Sequence, residues 1–244
     1  MTTGAMTVTI VRGNTYRYNR TIKSHGFRFD YGRKIWFSFP AATPDVFDRL
    51  SKSVGKGCIV EHRDVLEFWF PEKASLSYPI TRCDEPIVDH QFVSVWTDGG
   101  CWPNPGIGGW AYVIVLEDGQ LIEDCGFEEN TTNNRMELMG PIKALQRLPV
   151  GCTVKLTSDS QYMLDGLTTW IDGWKSNGWR RKKSNGKDAG PVSNVDLWKE
   201  LDELASALNL ETEWVKGHAG FAENERCDEL ASYAAYCAAA GIEC

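Results

Sequence analysis

Apolar and polar positions alternate in two early stretches of the chain, "MTVTIV" (6–11) and "FRFDYGRKIWFSF" (27–39). That period predicts a strand, followed by a hairpin turning at Tyr31–Gly32. "TPDVFDRL" predicts a helix, with Thr43 as N-cap and Pro44 at the first helical position. "CIVEHRDVLEFWF" (58–70) alternates again and predicts a second hairpin. Residues 71–90, "PEKASLSYPITRCDEPIVDH", carry Pro71, Pro79 and Pro86 and no clear period, which predicts a linker. Beyond it the pattern predicts strands at 92–97, 108–116 and 120–127, a helix at 134–148 and a strand at 153–158. Helices at about 160–176 and 195–208, a strand at 211–215 and a helix at 223–240 complete the series. Three strands joined by tight turns, then strands alternating with helices, predict an α/β fold: a mixed sheet covered by helices. The chain therefore divides into a small α+β module (1–70), a linker (71–90) and a larger α/β domain (91–244).

One position breaks the pattern. In "TTNNRMELMGPIKAL" (131–145) the apolar residues Leu138, Met139, Ile142, Ala144 and Leu145 share one helical arc, and Glu137 falls inside it at about 100° per residue. A lone carboxylate is costly to bury unless it is paired or bound to a metal. Three other carboxylates stand at chemically suggestive places. Asp98 follows an apolar strand and precedes "GGCWPNPGIGG"; alone, it reads as turn chemistry. Asp159 follows "TVKLTS", where it could cap the next helix. Asp228 lies on the last helix beside an alanine-rich face and could be a solvated edge. Taken together, two carboxylates at strand ends and two on packed helices can converge at one edge of a sheet. Crowded carboxylates cannot all stay ionised without cations. Hard oxygen ligands suit Mg²⁺, or Mn²⁺, and two such ions can activate a water and stabilise the leaving oxygen in phosphodiester hydrolysis.

Composition changes this picture little. The 244 residues have an ordinary globular make-up and a net charge of −7. The charge is unevenly spread, with ten basic against three acidic residues in 1–56 and 13 against 23 in 91–244. Eight cysteines show no CxxC pair and read as free thiols. No long apolar run or signal-peptide layout is present, so the expectation is a cytoplasmic protein with no membrane partner, and a monomer.

The strings "TDGGCWPNPGIGGWA", "TTNNRMELM", "TSDSQY", "NVDLW" and "WVKGHAGFAENERCDELA" agree in order and spacing with one family. Residues 92–240 resemble the type I ribonucleases H of bacteria. The resemblance implies a ribonuclease H-like fold: a five-stranded mixed sheet whose first three strands are antiparallel. It implies endonucleolytic cleavage of the RNA strand of RNA/DNA hybrids, leaving 5′-phosphate and 3′-hydroxyl ends. It also implies that Asp98, Glu137, Asp159 and Asp228 hold the metal ions and that Glu137 faces a metal-filled cleft. Asp98 would bridge both ions, Asp159 and Asp228 would serve the water-activating ion, and Glu137 the ion at the leaving oxygen. His218, in the glycine-flanked loop "KGHAG", matches a histidine that assists proton transfer or product departure. Asn104, Thr132, Asn133, Asn134 and Gln161 match substrate contacts, where amides suit the donor-and-acceptor character of a 2′-hydroxyl. Trp179, Arg180, Arg181, Lys182 and Lys183 resemble the basic handle that grips the DNA strand, whereas Trp170 and Trp174, four apart, read as packing. Pro141 departs from a regular helix and bears on the placement of Glu137.

The N-terminal block does not match the hybrid-binding domain of eukaryotic ribonucleases H. Its stretch "GNTYRYNRTIKSHGFRFDYGRKIWFSF" (13–39) resembles a small module found beside phage and plasmid nucleic-acid enzymes. Its basic residues Arg17, Arg20, Lys23, Arg28, Arg33 and Lys34 interleave with Tyr16, Phe27, Phe29, Tyr31 and Trp36. They could form a stacking and phosphate-binding surface, or the aromatics could simply be core. The rival to an enzyme is a non-catalytic nucleic-acid-binding protein with a ribonuclease H-like fold, which loss of a carboxylate would favour. All four are present.

Overall fold

A computed structural model describes residues 6–30, 33–70, 75–87, 92–182 and 186–244. The expected turn at Tyr31–Gly32 lies outside the described residues. The chain forms two compact units, Met1–Ala74 with Ala239–Glu243, and Ser75–Ala238 with Cys244.

In the first unit, β1 (Thr7–Gly13), β2 (Arg28–Asp30), β3 (Ile35–Ser38) and β4 (Cys58–Asp64) make an antiparallel sheet in the order β2-β3-β1-β4. A 3₁₀ turn (Tyr16–Tyr18) leads into α1 (Asn19–Ser24), and α2 (Pro44–Ser53) begins after Thr43 with Pro44 in its first turn. Val11, Ile22, Phe27, Trp36 and Leu50 pack as the core of this unit. The second hairpin expected at 58–70 is half wrong: after β4 the chain forms α3 (Val65–Trp69). Asp64 caps that helix by accepting the Glu67 N–H at 3.1 Å, and Val65 and Trp69, four apart, are the residues buried. A helical period won over an apparent alternation.

The second unit is built on β5 (Phe92–Trp102), β6 (Gly106–Val115), β7 (Leu121–Thr131), β8 (Thr153–Ser158) and β11 (Asn209–Trp214), in the order β11-β8-β5-β6-β7. The pairs β5–β6 and β6–β7 are antiparallel, and β5–β8 and β8–β11 are parallel. Alternation along β6 sends Tyr112 and Ile114 to one face, where Leu138, Ile142 and Leu145 of α4 (Asn133–Leu145) cover them. Ala111 and Val113 point to the other face, against Cys227, Leu230, Ala231 and Ala234 of α8 (Ala222–Ala240). The helix α4 runs on through Pro141. The expected helical stretch after β8 is α5 (Gln161–Asp165), a π-helical turn (Gly166–Trp170) and α6 (Ile171–Ser176), and α7 (Val195–Ser206) follows. Between them β9 (Arg180–Lys182) and β10 (Asp188–Pro191) form an antiparallel ribbon.

Residues 75–87 belong to the second unit. Thr81 exchanges backbone and side-chain hydrogen bonds with Glu123 on β7, and Ser77 Oγ donates to Glu229 at 2.9 Å. Arg226 of α8 donates to the Tyr78 carbonyl at 3.1 Å and lies 3.8 Å over its ring, while Ile87 is buried in the core. At the centre of this attachment Arg226 pairs with Glu123 at 2.9 Å, and both side chains are all but fully buried.

Candidate active site

The geometry of the site begins with two close approaches. Gly99 lies on β5 where the backbone of Met136 and Glu137 comes so near that any Cβ would clash with it. The missing side chain lets the start of α4 sit directly on the strand bearing Asp98. Gly217 plays the same part for the loop after β11, whose backbone abuts the Asp159 carboxylate.

Each carboxylate is held by a named donor or neighbour. Asp98 Oδ1 accepts the N–H of Gly99 at 2.7 Å. β5 continues past Asp98 to Trp102. Glu137 Oε2 accepts the hydroxyl of Ser160 at 2.8 Å, and the same hydroxyl oxygen caps α5 by accepting the Met163 N–H at 3.2 Å. Asp159 stands just beyond β8; the Trp214 indole donates to its carbonyl at 3.1 Å, and Asn224 Nδ2 approaches its Oδ2 at 3.5 Å. Asp228 on α8 lies 4.0 Å from Nδ1 of His218, an 80 % exposed imidazole on a backbone with φ of 53°.

Asp98, Glu137 and Asp228 are each raised, first by burial, and the charge of Asp159 adds to all three. Burial, then the charge of Asp159, with Asp228 and Glu137 adding, pushes the Asp98 carboxyl up to about 8 against the opposing Gly99 N–H. Burial also raises Glu137, and Asp159 adds to it while the Ser160 hydroxyl lowers it. Asp228 is raised first by burial, lowered by His218 and raised again by Asp159. Among the described residues, no three His, Cys, Asp or Glu side chains stand close enough to enclose a cation as they are placed. The donor set is nonetheless one of hard oxygens under mutual repulsion, which is the electrostatic situation that a divalent cation relieves.

The remaining predicted residues fall into two groups. Asn104 accepts the Asn133 N–H at 3.3 Å, joining the β5–β6 turn to the start of α4. Thr132 is the residue before that helix and makes no side-chain cap; Asn133 Oδ1 is buried without a hydrogen-bond partner; Asn134 and, at the start of α5, Gln161 are exposed. The second group lies on and beside the β9–β10 ribbon. Trp179 (φ of 62°) packs against the main core, with Lys199 5.8 Å from its ring. Arg180 pairs with Asp188, Arg181 and Lys182 are exposed, and Lys183 lies outside the described residues. Trp170 and Trp174 lie tilted against each other at 5.7 Å, and Trp174 meets Trp198 edge-on at 5.2 Å.

Two residues that periodicity did not single out enter the site. Ser160, in "TSDSQY", carries the signature of a helix N-cap, and its contact with Glu137 needed the fold to appear. Asn224 is 2 % exposed with its Oδ1 unpartnered, a polar group in an otherwise helical and alanine-rich stretch.

The RNase H family model matches residues 90–236. The chain belongs to the RNase H family. A ribonuclease H of Shewanella sp. (strain MR-4) is 50% identical over 149 residues, covering 61% of this chain and 90% of that protein. The ribonuclease HI of Shewanella oneidensis is likewise 50% identical over 149 residues, with the same coverage. Among solved structures, LC9-RNase H1, described as a type 1 RNase H with the type 2 active-site motif, is 31% identical. It covers 61% of this chain and 74% of its own, with a TM-score of 0.52. The protein is thus a ribonuclease H enzyme, with the family's five-stranded sheet flanked by helices and a separate N-terminal unit. Among its described residues no helix is long and apolar enough to cross a membrane.

Proposed function

We propose that the protein cleaves the RNA strand of RNA/DNA hybrids with two divalent cations, Mg²⁺ or Mn²⁺, leaving 5′-phosphate and 3′-hydroxyl ends. Asp98, Glu137, Asp159 and Asp228 are the residues that would hold the ions. The observation that supports the reading is geometric: α4 lies against β5 at Gly99, next to Asp98, and Ser160, next to Asp159, donates to Glu137 at 2.8 Å. Bound cations supply a polarised water and a stabilised leaving oxygen. The chain's own side chains do the rest. Ser160 fixes Glu137 by its hydroxyl, Asn224 and Gly217 bound the Asp159 carboxylate, and Gly99 holds α4 close to β5. His218, exposed and 4.0 Å from Asp228, would carry a proton between the site and solvent.

Asn104, Thr132, Asn133, Asn134 and Gln161 would contact the sugars and phosphates of the hybrid, and Trp179 with Arg180, Arg181, Lys182 and Lys183 the DNA strand. The first unit would add a second nucleic-acid contact through its excess of cations, and residues 91–244 the catalytic domain. The test is Asp98→Asn, which removes a charge and keeps the shape. It is expected to abolish hydrolysis while hybrid binding, followed by fluorescence anisotropy, survives. Turnover equal to that of the parent protein would refute the assignment.

A further inference from the structure

The first unit contains a concave site that the catalytic reading does not use. A cavity of about 340 Å³ is lined by Asn19, Arg20, Lys23, Phe29 and Trp36, which falls within the roughly 300–1,000 Å³ range of small-ligand pockets. Its floor is aromatic. Phe29 and Trp36 are directly opposite each other across β2 and β3, so their side chains share one face of the sheet, with ring centroids 5.3 Å apart. The indole N–H of Trp36 is donated to Asn19 Oδ1 at 3.2 Å, which orients the indole and leaves the Asn19 amide NH₂ as a donor on the wall. Arg20 and Lys23, three residues apart on α1, are exposed at the rim.

The charges around this pocket are one-sided. Elsewhere in the unit Arg12 pairs with Glu61, Arg33 with Asp30, Arg49 with Asp45 and Arg63 with Glu61. Among the described residues neither Arg20 nor Lys23 takes part in an ion pair, and no acid lines the cavity. An apolar floor of two aromatic rings tilted at 60°, one amide donor and two cations outside any ion pair suit a planar heteroaromatic ring attached to an anionic backbone. In a duplex the bases are hidden in the stack, so a pocket of this kind can be reached only by an unpaired base.

Resting on the proposal that the first unit binds nucleic acid, we infer that this pocket takes one base of a single-stranded segment, with its flanking phosphates on Arg20 and Lys23. The unit then anchors the protein on unpaired nucleic acid while the catalytic unit works on the hybrid. Base-on-aromatic stacking is tolerant of base identity, so the anchor selects strandedness and not sequence.

The test uses the full chain in EDTA, which prevents cleavage, and measures anisotropy with a labelled dT₁₅, an abasic 15-mer of the same backbone and a 15-base-pair DNA duplex. The parent protein is expected to bind dT₁₅ about tenfold more tightly than the abasic strand, the low-to-middle range for one stacked base. Phe29→Leu, chosen because it keeps an apolar side chain in the unit, is expected to erase that preference with the thermal midpoint little changed. Arg20→Ala with Lys23→Ala is expected to reduce the salt slope on dT₁₅ by about 1.4, two phosphate contacts at roughly 0.7 each on a single strand. Equal affinity for dT₁₅ and the abasic strand, with the double variant still weakening both, would overturn the base pocket and leave the unit as a plain phosphate-binding surface. No effect of the double variant on any of the three ligands would overturn the underlying reading as well.

Discussion

The crowding at Asp98 has a consequence for stability that can be measured apart from catalysis. In the folded protein its carboxyl is raised to about 8 from an ordinary 3.8, chiefly by burial and by Asp159. A raised carboxyl means that the folded state holds the proton more tightly than the unfolded state. The resulting stability is fully present below the unfolded value, near 4, and is lost as the pH climbs towards 8. About four pH units at roughly 1.4 kcal/mol each set an upper figure of about 6 kcal/mol, and relaxation of the neighbours and entry of water bring the expected cost to about 2–3 kcal/mol. Asp98→Asn removes that cost, and its side-chain oxygen can still accept the Gly99 N–H. In EDTA at pH 8 the variant is expected to melt about 4–12 °C above the parent, given roughly 2–4 °C per kcal/mol for a chain of this size. At pH 5 most of the gain disappears, because the parent's Asp98 is then protonated. Saturating Mg²⁺ reduces the gain at pH 8 by stabilising the parent through binding. Thermal melts of both proteins at pH 5 and pH 8, with and without Mg²⁺, test this. A gain that is the same at both pH values, or none at either, would refute the claim that burial and Asp159 raise the Asp98 carboxyl in the folded state.

Further outcomes are expected elsewhere in the molecule. His218→Ala slows turnover by about ten- to a hundredfold without abolishing it, since water can replace a proton shuttle; single-turnover cleavage of a labelled hybrid measures it. Arg226→Met leaves Glu123 buried without its partner and lowers stability by about 3–5 kcal/mol, whereas the double variant with Glu123→Gln recovers part of the loss in urea titration. A fragment beginning at residue 75 keeps the cleavage activity of the full chain. One beginning at residue 90 loses Ile87 from the core and the Tyr78 contacts of Arg226, and melts lower by about 2–4 kcal/mol in stability. The full chain binds hybrids with a steeper salt dependence than residues 75–244, by a few phosphate contacts of about 0.9 each.

Most of the second unit could be read from periodicity, because its strands are long and its two helical faces differ in composition. The strand at 153–158 coincides with β8, and the helix at 134–148 with α4 to within three residues at its end. What escaped is instructive. At 65–69 the cap supplied by Asp64 decided for helix where the apolar alternation suggested strand. Residues 75–87 lack a period because Ser77, Tyr78, Thr81 and Arg82 are fixed by contacts with β7 or α8 and not by their neighbours in sequence. The β9–β10 ribbon was hidden by a basic, polar composition that resembles a solvated loop. The position of Glu137 on an apolar arc was legible, but the Ser160 hydroxyl that holds it was not, since 23 residues separate them and only the approach of α4 to α5 brings them together.

Cation-dependent cleavage of the RNA strand in a hybrid is the activity proposed for Asp98, Glu137, Asp159 and Asp228. The most direct measurement is to incubate the full chain with 5′-labelled RNA/DNA, RNA/RNA and DNA/DNA duplexes of one sequence, with Mg²⁺ and with EDTA. Cleavage of the RNA strand of the hybrid alone, only with Mg²⁺, into fragments bearing 3′-hydroxyl ends is the expected result. Cleavage that persists in EDTA, or that falls equally on all three duplexes, would contradict it.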